Sequence, residues 1–198
     1  MNLTREEARH RSEIIKVERY HVRIDVRGAD ADGATHFTSN TRVRFSTTEP
    51  DTFLDLLDGE IESVIVNGEE VEPEYDGSRI QLHGLHTHRE NLVIVTAKLP
   101  YQHTGQGLHR FVDPADGKVY LYTHFEAADS RRMYSVFEPP DLKAHVDFDV
   151  IAPSDWRVAS NQVHEDIREE EDGLLHDFAL TPRMSPSLPA LAAGPYGG

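Results

Sequence analysis

From Tyr20 to Arg27 the chain alternates without a break. Tyr20, Val22, Ile24 and Val26 are apolar, and His21, Arg23, Asp25 and Arg27 are polar or charged. Successive side chains on a strand point to opposite faces, so this spacing buries one face and solvates the other only as a β-strand. Phe37, Ser39, Thr41, Val43 and Phe45 repeat the theme less purely. Short apolar runs follow at Phe53–Leu57 and Ile61–Val66, and Asn67-Gly68 comes directly after the second. Both turn positions tolerate positive φ, which makes this pair a strong hairpin signal, with Val71 opening the return strand. Further strands fit Arg79–Leu82, Asn91–Leu99, Val119–Thr123, Ala144–Ile151, Arg157–Ser160, Gln162–Arg168 and Leu174–Leu180, with Glu171-Asp172-Gly173 turning between the last two. Short strands separated by frequent turns suit an antiparallel sheet architecture rather than βαβ units. The expected fold is mainly β, an antiparallel sandwich or saddle-like domain.

Two helical pieces are expected beside the strands. Thr4 and Glu7 have the spacing of a capping box, which starts a helix at about Arg5 within a 1–13 amino-terminal segment. One helical turn is expected near 129–134. The tail, 182–198, carries Pro182, Pro186, Pro189 and Pro195 and ends in Gly197-Gly198, and it reads as extended chain leaving a single domain. Hydrophobic residues at 38% suffice for a core.

Net charge is −15. That balance repels nucleic-acid backbones and anionic membranes, so neither is an expected partner. The absence of cysteine excludes disulfides and thiolate zinc sites. The first residues lack the apolar stretch of a signal peptide, and no run approaches a membrane span, so the expected location is cytoplasmic.

Chemistry-bearing motifs are sparse. A zincin helix needs two histidines four apart with a glutamate beside the first. The single His-Glu pair, His164-Glu165, continues into Asp166-Ile167-Arg168 and lacks the second ligand. His83, His86 and His88 cluster locally and read as a solvated loop, and Asp113-Asp116-Gly117 as a turn with an incomplete calcium-ligand series. No Gly-x-Ser-x-Gly elbow occurs, and Gly105-Gln106-Gly107 is not continued as a phosphate fingerprint. Glu126 follows a strand and precedes Arg131 and Arg132. Its carboxylate can serve either a cationic ligand group or an ion pair with those arginines.

The stretch from Glu126 to Ala144 (EAADSRRMYSVFEPPDLKA) resembles the amino-terminal-domain pattern of the aminopeptidase N family of zinc-dependent metallo-aminopeptidases. That pattern is a Glu, then Asp-Ala-Arg-Arg, then a Phe-Asp-x-Pro element ending in Lys-Ala. Gly107–Thr123, Phe53-Leu54-Asp55-Leu56, Ala152-Pro153, Trp156, Ser160-Asn161, Met184-Ser185 and Ala193-Gly194-Pro195-Tyr196 fall in the family's order. The resemblance implies a non-catalytic β-domain with no cofactor of its own. The zinc, the His-Glu-x-x-His ligands and the Gly-x-Met-Glu-Asn loop would sit in a following catalytic domain of the same polypeptide, which is the expected partner. It also implies that Glu126 binds the free α-ammonium at the amino terminus of a peptide substrate. His124 stands where the family usually has Gln and joins Glu126 as a candidate substrate-binding residue; a neutral imidazole accepts from an ammonium and a protonated one repels it. Val136 replaces a common Cys, and Glu138-Pro139-Pro140 replaces the Asp-x-Pro element. The surface meeting the catalytic domain should be a contiguous apolar or mixed patch near Glu126 and the tail. A stand-alone β-sandwich binding module without catalysis is the alternative.

Overall fold

The computed structural model describes residues 2–104, 106–124, 129–139, 141–186 and 190–197. One helix, α1 (Arg5–Ile14), precedes fourteen strands: β1 (Ile15–Asp25), β2 (His36–Thr47), β3 (Thr52–Asp55), β4 (Glu60–Val66), β5 (Glu69–Val71), β6 (Arg79–Leu82), β7 (Asn91–Pro100), β8 (Gly107–Val112), β9 (Val119–His124), β10 (His145–Ala152), β11 (Arg157–Ser160), β12 (His164–Glu170), β13 (Gly173–Phe178) and β14 (Leu191–Gly194). The mainly β architecture holds. Eight strands form one large sheet in the order β12-β13-β10-β1-β2-β7-β4-β5. Four form a small sheet, β11-β14-β9-β8, and β3 pairs with β6.

Local signals act as expected at several places. The Glu7 amide donates to Thr4 Oγ1 at 3.1 Å and the Thr4 amide to Glu7 Oε1 at 3.4 Å, completing the capping box of α1. Asn67 and Gly68 adopt φ of 49° and 88° and turn β4 into β5. Val71 closes that return strand rather than opening it, because the two-residue turn lets Glu69 pair at once with Val66. The helical turn is a 3-10 turn at Asp129–Arg132.

Three features depart from the local reading. Most pairings are antiparallel, but β1 and β10 run parallel, with Tyr20 opposite Val146 and Ile24 opposite Val150. The chain between them is long enough to make that crossover. β8 forms where the sequence shows a polar, glycine-bearing segment. The tail is not all free extended chain: Leu191–Gly194 enters the small sheet between β9 and β11. Its small residues allow that insertion, since a Cβ at Gly194 would lie 2.6 Å from the Tyr120 ring.

The segment after the 3-10 turn is core. Met133, Tyr134, Val136 and Phe137 are fully buried. Tyr134 meets Tyr20 and Phe148 edge-on, and Phe137 meets Phe45 at 4.7 Å between ring centroids. The Phe137 amide donates to the Tyr20 hydroxyl at 2.9 Å, and Val136 exchanges two backbone hydrogen bonds with Asp55 of β3. This segment is thus wedged between the large sheet and the β3–β6 pair. Each such buried aromatic or aliphatic side chain contributes about 1.5–3 kcal/mol of hydrophobic stabilisation.

Candidate functional site

The small sheet has two unlike faces. Leu108, Leu121 and Val119 point inward and are buried. The outer face carries the opposite set. Register places Phe111 beside Tyr120, His109 beside Tyr122, and Gly107 beside His124. Tyr196, after β14, meets the Tyr120 ring at 5.1 Å. His109 and Tyr122 stack at 4.9 Å, and Tyr122 Oη and His109 Nδ1 share a hydrogen bond of 3.2 Å. Burial, reinforced by nearby His103 and His124, pushes the His109 pKa down, so the ring sits in the ladder as a neutral group. Phe111, Tyr122 and Tyr196 are each more than 40% exposed. The result is a row of aromatic side chains along one face, with His109 buried within it, that ends at exposed His124.

Beyond His124 the chain reaches Glu126, which lies outside the described residues. Its flanks are held. On one side His124 closes β9. On the other, the buried Ser130 and the Leu57 amide bonded to the Arg131 carbonyl at 2.8 Å fix the 3-10 turn. Gly107 has φ of 85°, and a Cβ there would lie 3.1 Å from Arg132 Cβ. The missing side chain therefore lets Arg132 lie against the end of β8. Arg132 faces Asp58 at 3.7 Å and Asp129 at 3.8 Å, and Arg131 donates to Asn2 at 3.0 Å. Both arginines thus have described contacts of their own.

Behind the turn lies a buried charge cluster. The Arg11 guanidinium donates to the Glu138 carbonyl at 2.7 Å, the Phe53 carbonyl at 2.9 Å and Thr52 Oγ1 at 3.2 Å. It faces Asp55 Oδ2 at 3.4 Å and lies 3.8 Å above the Phe53 ring. Asp55 Oδ2 also accepts from the Glu138 amide at 3.2 Å. Arg11 thereby ties α1 to β3 and to the segment that follows the 3-10 turn.

No zinc-binding constellation of catalytic type forms among the described residues. The group of His, Asp or Glu side chains close enough to share an ion is His21, Asp147 and Asp149 on the outer face of the large sheet. Arg19 already pairs with Asp147, and Arg23 lies 3.0 Å from Asp149, so two cations hold the carboxylates a metal would need. These residues do not fit a catalytic zinc. His164 lies on strand β12, as its sequence pattern indicates. His83 pairs with Glu74 at 2.9 Å and Asp51 at 3.3 Å. Asp113 and Asp116 accept backbone amides within their own turn.

Local pattern placed His124 at a strand end but did not reveal the ladder. Its members come from β8, β9 and the tail, and their shared face exists only once those strands pair. The one available sequence signal was the spacing of Tyr120, Tyr122 and His124.

Comparison with known proteins agrees with this architecture. Residues 20–188 match the family model described as the Peptidase M1 N-terminal domain. The aminopeptidase N of Streptomyces lividans is 42% identical over 199 residues, covering 98% of this chain and 22% of that protein. The aminopeptidase N of Acetobacter pasteurianus is 34% identical over 115 residues, covering 56% of this chain and 31% of that protein. A variant of an M1 zinc metallopeptidase from Deinococcus radiodurans superposes with a TM-score of 0.74 at 16% identity, over 91% of this chain and 42% of that one. The chain therefore spans about a fifth of its Streptomyces relative, 22% of its length. With its mainly β fold and a family match over most of its length, this chain belongs to the Peptidase M1 N-terminal domain family.

Proposed function

We propose that this chain is the non-catalytic amino-terminal domain of a cytoplasmic zinc-dependent aminopeptidase. It docks on the catalytic domain of the same polypeptide through the outer face of the small sheet and presents Glu126, with His124 beside it, to the substrate's α-ammonium. The exposed aromatic ladder ending two residues before Glu126 is the observation that carries this reading. Aromatic side chains are enriched in interface cores, and a contiguous exposed patch of them calls for a partner. Proteolysis by zinc chemistry would then belong to residues outside this chain, which has no His-Glu-x-x-His run. No helix of the described residues is long and apolar enough to cross a membrane.

Glu126 supplies what an ammonium needs. A carboxylate held at one end of the substrate binds the free amino terminus by charge-assisted hydrogen bonds and so places the first peptide bond for cleavage. Such a bond contributes roughly 1.5–3 kcal/mol. In the full-length enzyme, Glu126→Gln should lower kcat/KM on free-amino substrates about tenfold to a hundredfold. The melting temperature should not change. Near-wild-type kinetics would remove Glu126 from the substrate site.

The docking half has its own readout. Expressed alone, the chain should self-associate through the uncovered ladder, and solution scattering should show particles larger than 22.4 kDa as concentration rises. Phe111→Ser with Tyr122→Ser should restore the monomer. A wild-type chain that stays monomeric at high concentration argues against the ladder as a docking face.

A further inference from the structure

The outer face of the large sheet carries an unusual charge arrangement. Arg19, His21 and Arg23 project from β1, and Arg42 and Arg44 from the neighbouring β2. Register sets Arg19 directly opposite Arg44, and His21 directly opposite Arg42. Like charges placed opposite one another on adjacent strands destabilise a sheet. In a chain of net charge −15, five basic side chains on two adjacent strands are not an average outcome.

The carboxylates that offset this row stand at its margins. Asp147 and Asp149 lie on the β10 side, and Glu90 reaches Arg44 from the β7 side at 3.4 Å. Arg42, between them, is exposed and has neither an ion pair nor a side-chain hydrogen bond among the described residues. Arg19, His21, Arg42, Arg44 and Leu92 line a cleft of about 200 Å³ at this seam.

We propose that this cleft binds a polyvalent oxyanion of the phosphate class, with vicinal phosphate groups as in diphosphate. Guanidinium groups present parallel N–H donors that match phosphate oxygens two at a time. Arg42 and Arg44 are two residues apart on one strand, so they share a face with Cα atoms about 7 Å apart, and both line the cleft. An anion of two or more charges meets the Arg42 guanidinium and eases the Arg19–Arg44 repulsion together. A monovalent anion does less. Arg19 and Arg23 are paired with Asp147 and Asp149, and Arg44 with Glu90, so the uncompensated positive charge at the β1–β2 seam is that of Arg42. This site lies on the large sheet and is independent of the role given to Glu126.

The test is calorimetric titration of the full chain with sodium diphosphate, against sodium chloride at matched ionic strength. Saturable binding is expected with diphosphate and not with chloride. Arg42→Gln with Arg44→Gln should weaken it at least tenfold, whereas Arg168→Gln on β12 should leave it unchanged. Both arginines are exposed, and far-UV dichroism verifies that the double variant is folded. A parallel titration with adenosine diphosphate distinguishes the source: equal affinity assigns a free diphosphate, and tighter binding assigns a nucleotide's phosphates. No saturable binding, equal binding in chloride, or an unaffected double variant would each overturn the proposal.

Discussion

Arg11→Met should lower the unfolding free energy by about 3–5 kcal/mol, the range for breaking a buried ion pair from one side. Arg11 is 2% exposed, and burial pulls its pKa down against the opposing charge of Asp55. Among the described residues, removing the guanidinium leaves the equally buried Asp55 carboxylate with the Glu138 amide as its donor, and it takes a donor from the carbonyls of Phe53 and Glu138. Burial already raises the Asp55 pKa, with Arg11 holding it down, so the variant should push it further up. A small domain has a total stability of about 5–15 kcal/mol, so a large part of it rests on this cluster. Urea unfolding monitored by tryptophan fluorescence measures the loss. Adding Asp55→Leu to Arg11→Met should recover part of it, because the stranded charge is then gone. A loss below about 1 kcal/mol would mean that water enters the cluster.

Glu138→Gln should have the opposite sign at alkaline pH. Burial, and then the charge of Asp55, push the Glu138 pKa from its ordinary 4.5 up to about 7. The folded state therefore holds a proton that the unfolded state releases between those values. Stability from this group is fully present below pH 4.5 and is lost as pH rises to about 7. One pKa unit corresponds to about 1.36 kcal/mol, so the full excursion approaches ~3 kcal/mol. Glutamine mimics the protonated acid and cannot ionise. The variant should match the wild type at pH 4.5 and exceed it by up to ~3 kcal/mol at pH 8. Thermal unfolding across that range reads the difference directly. Parallel curves for the two proteins would show that Glu138 does not hold the proton.

The two residues differ in how far local sequence announces them. Glu138 stands in a motif position and departs from the family pattern, so it draws notice without any coordinates. Arg11 lies in a short charged helix and looks like any solvated side chain. Its burial follows from α1 folding back over Phe53, a contact between residues 42 apart. The same divide runs through the candidate site. Glu126 and His124 are marked by motif resemblance. The aromatic ladder beside them, and the arginine seam on the other sheet, each need strands that are distant in sequence.

Taken alone, the amino-acid sequence determined what is local or additive. Period-two alternation made the strands of the large sheet, positive-φ residues made the Asn67-Gly68 turn, side chains three residues apart capped α1, and ordered motifs marked the family. Tertiary structure alone decided which strands became neighbours. It set β1 parallel to β10, turned the small residues of the tail into β14, and buried Leu108, Val119 and Leu121 on one face of β8 and β9 while exposing Phe111 and Tyr122 on the other. Strand pairing is selected by the burial of whole faces at once. Alternation states that a face exists, but only the packed sheets determine what that face meets.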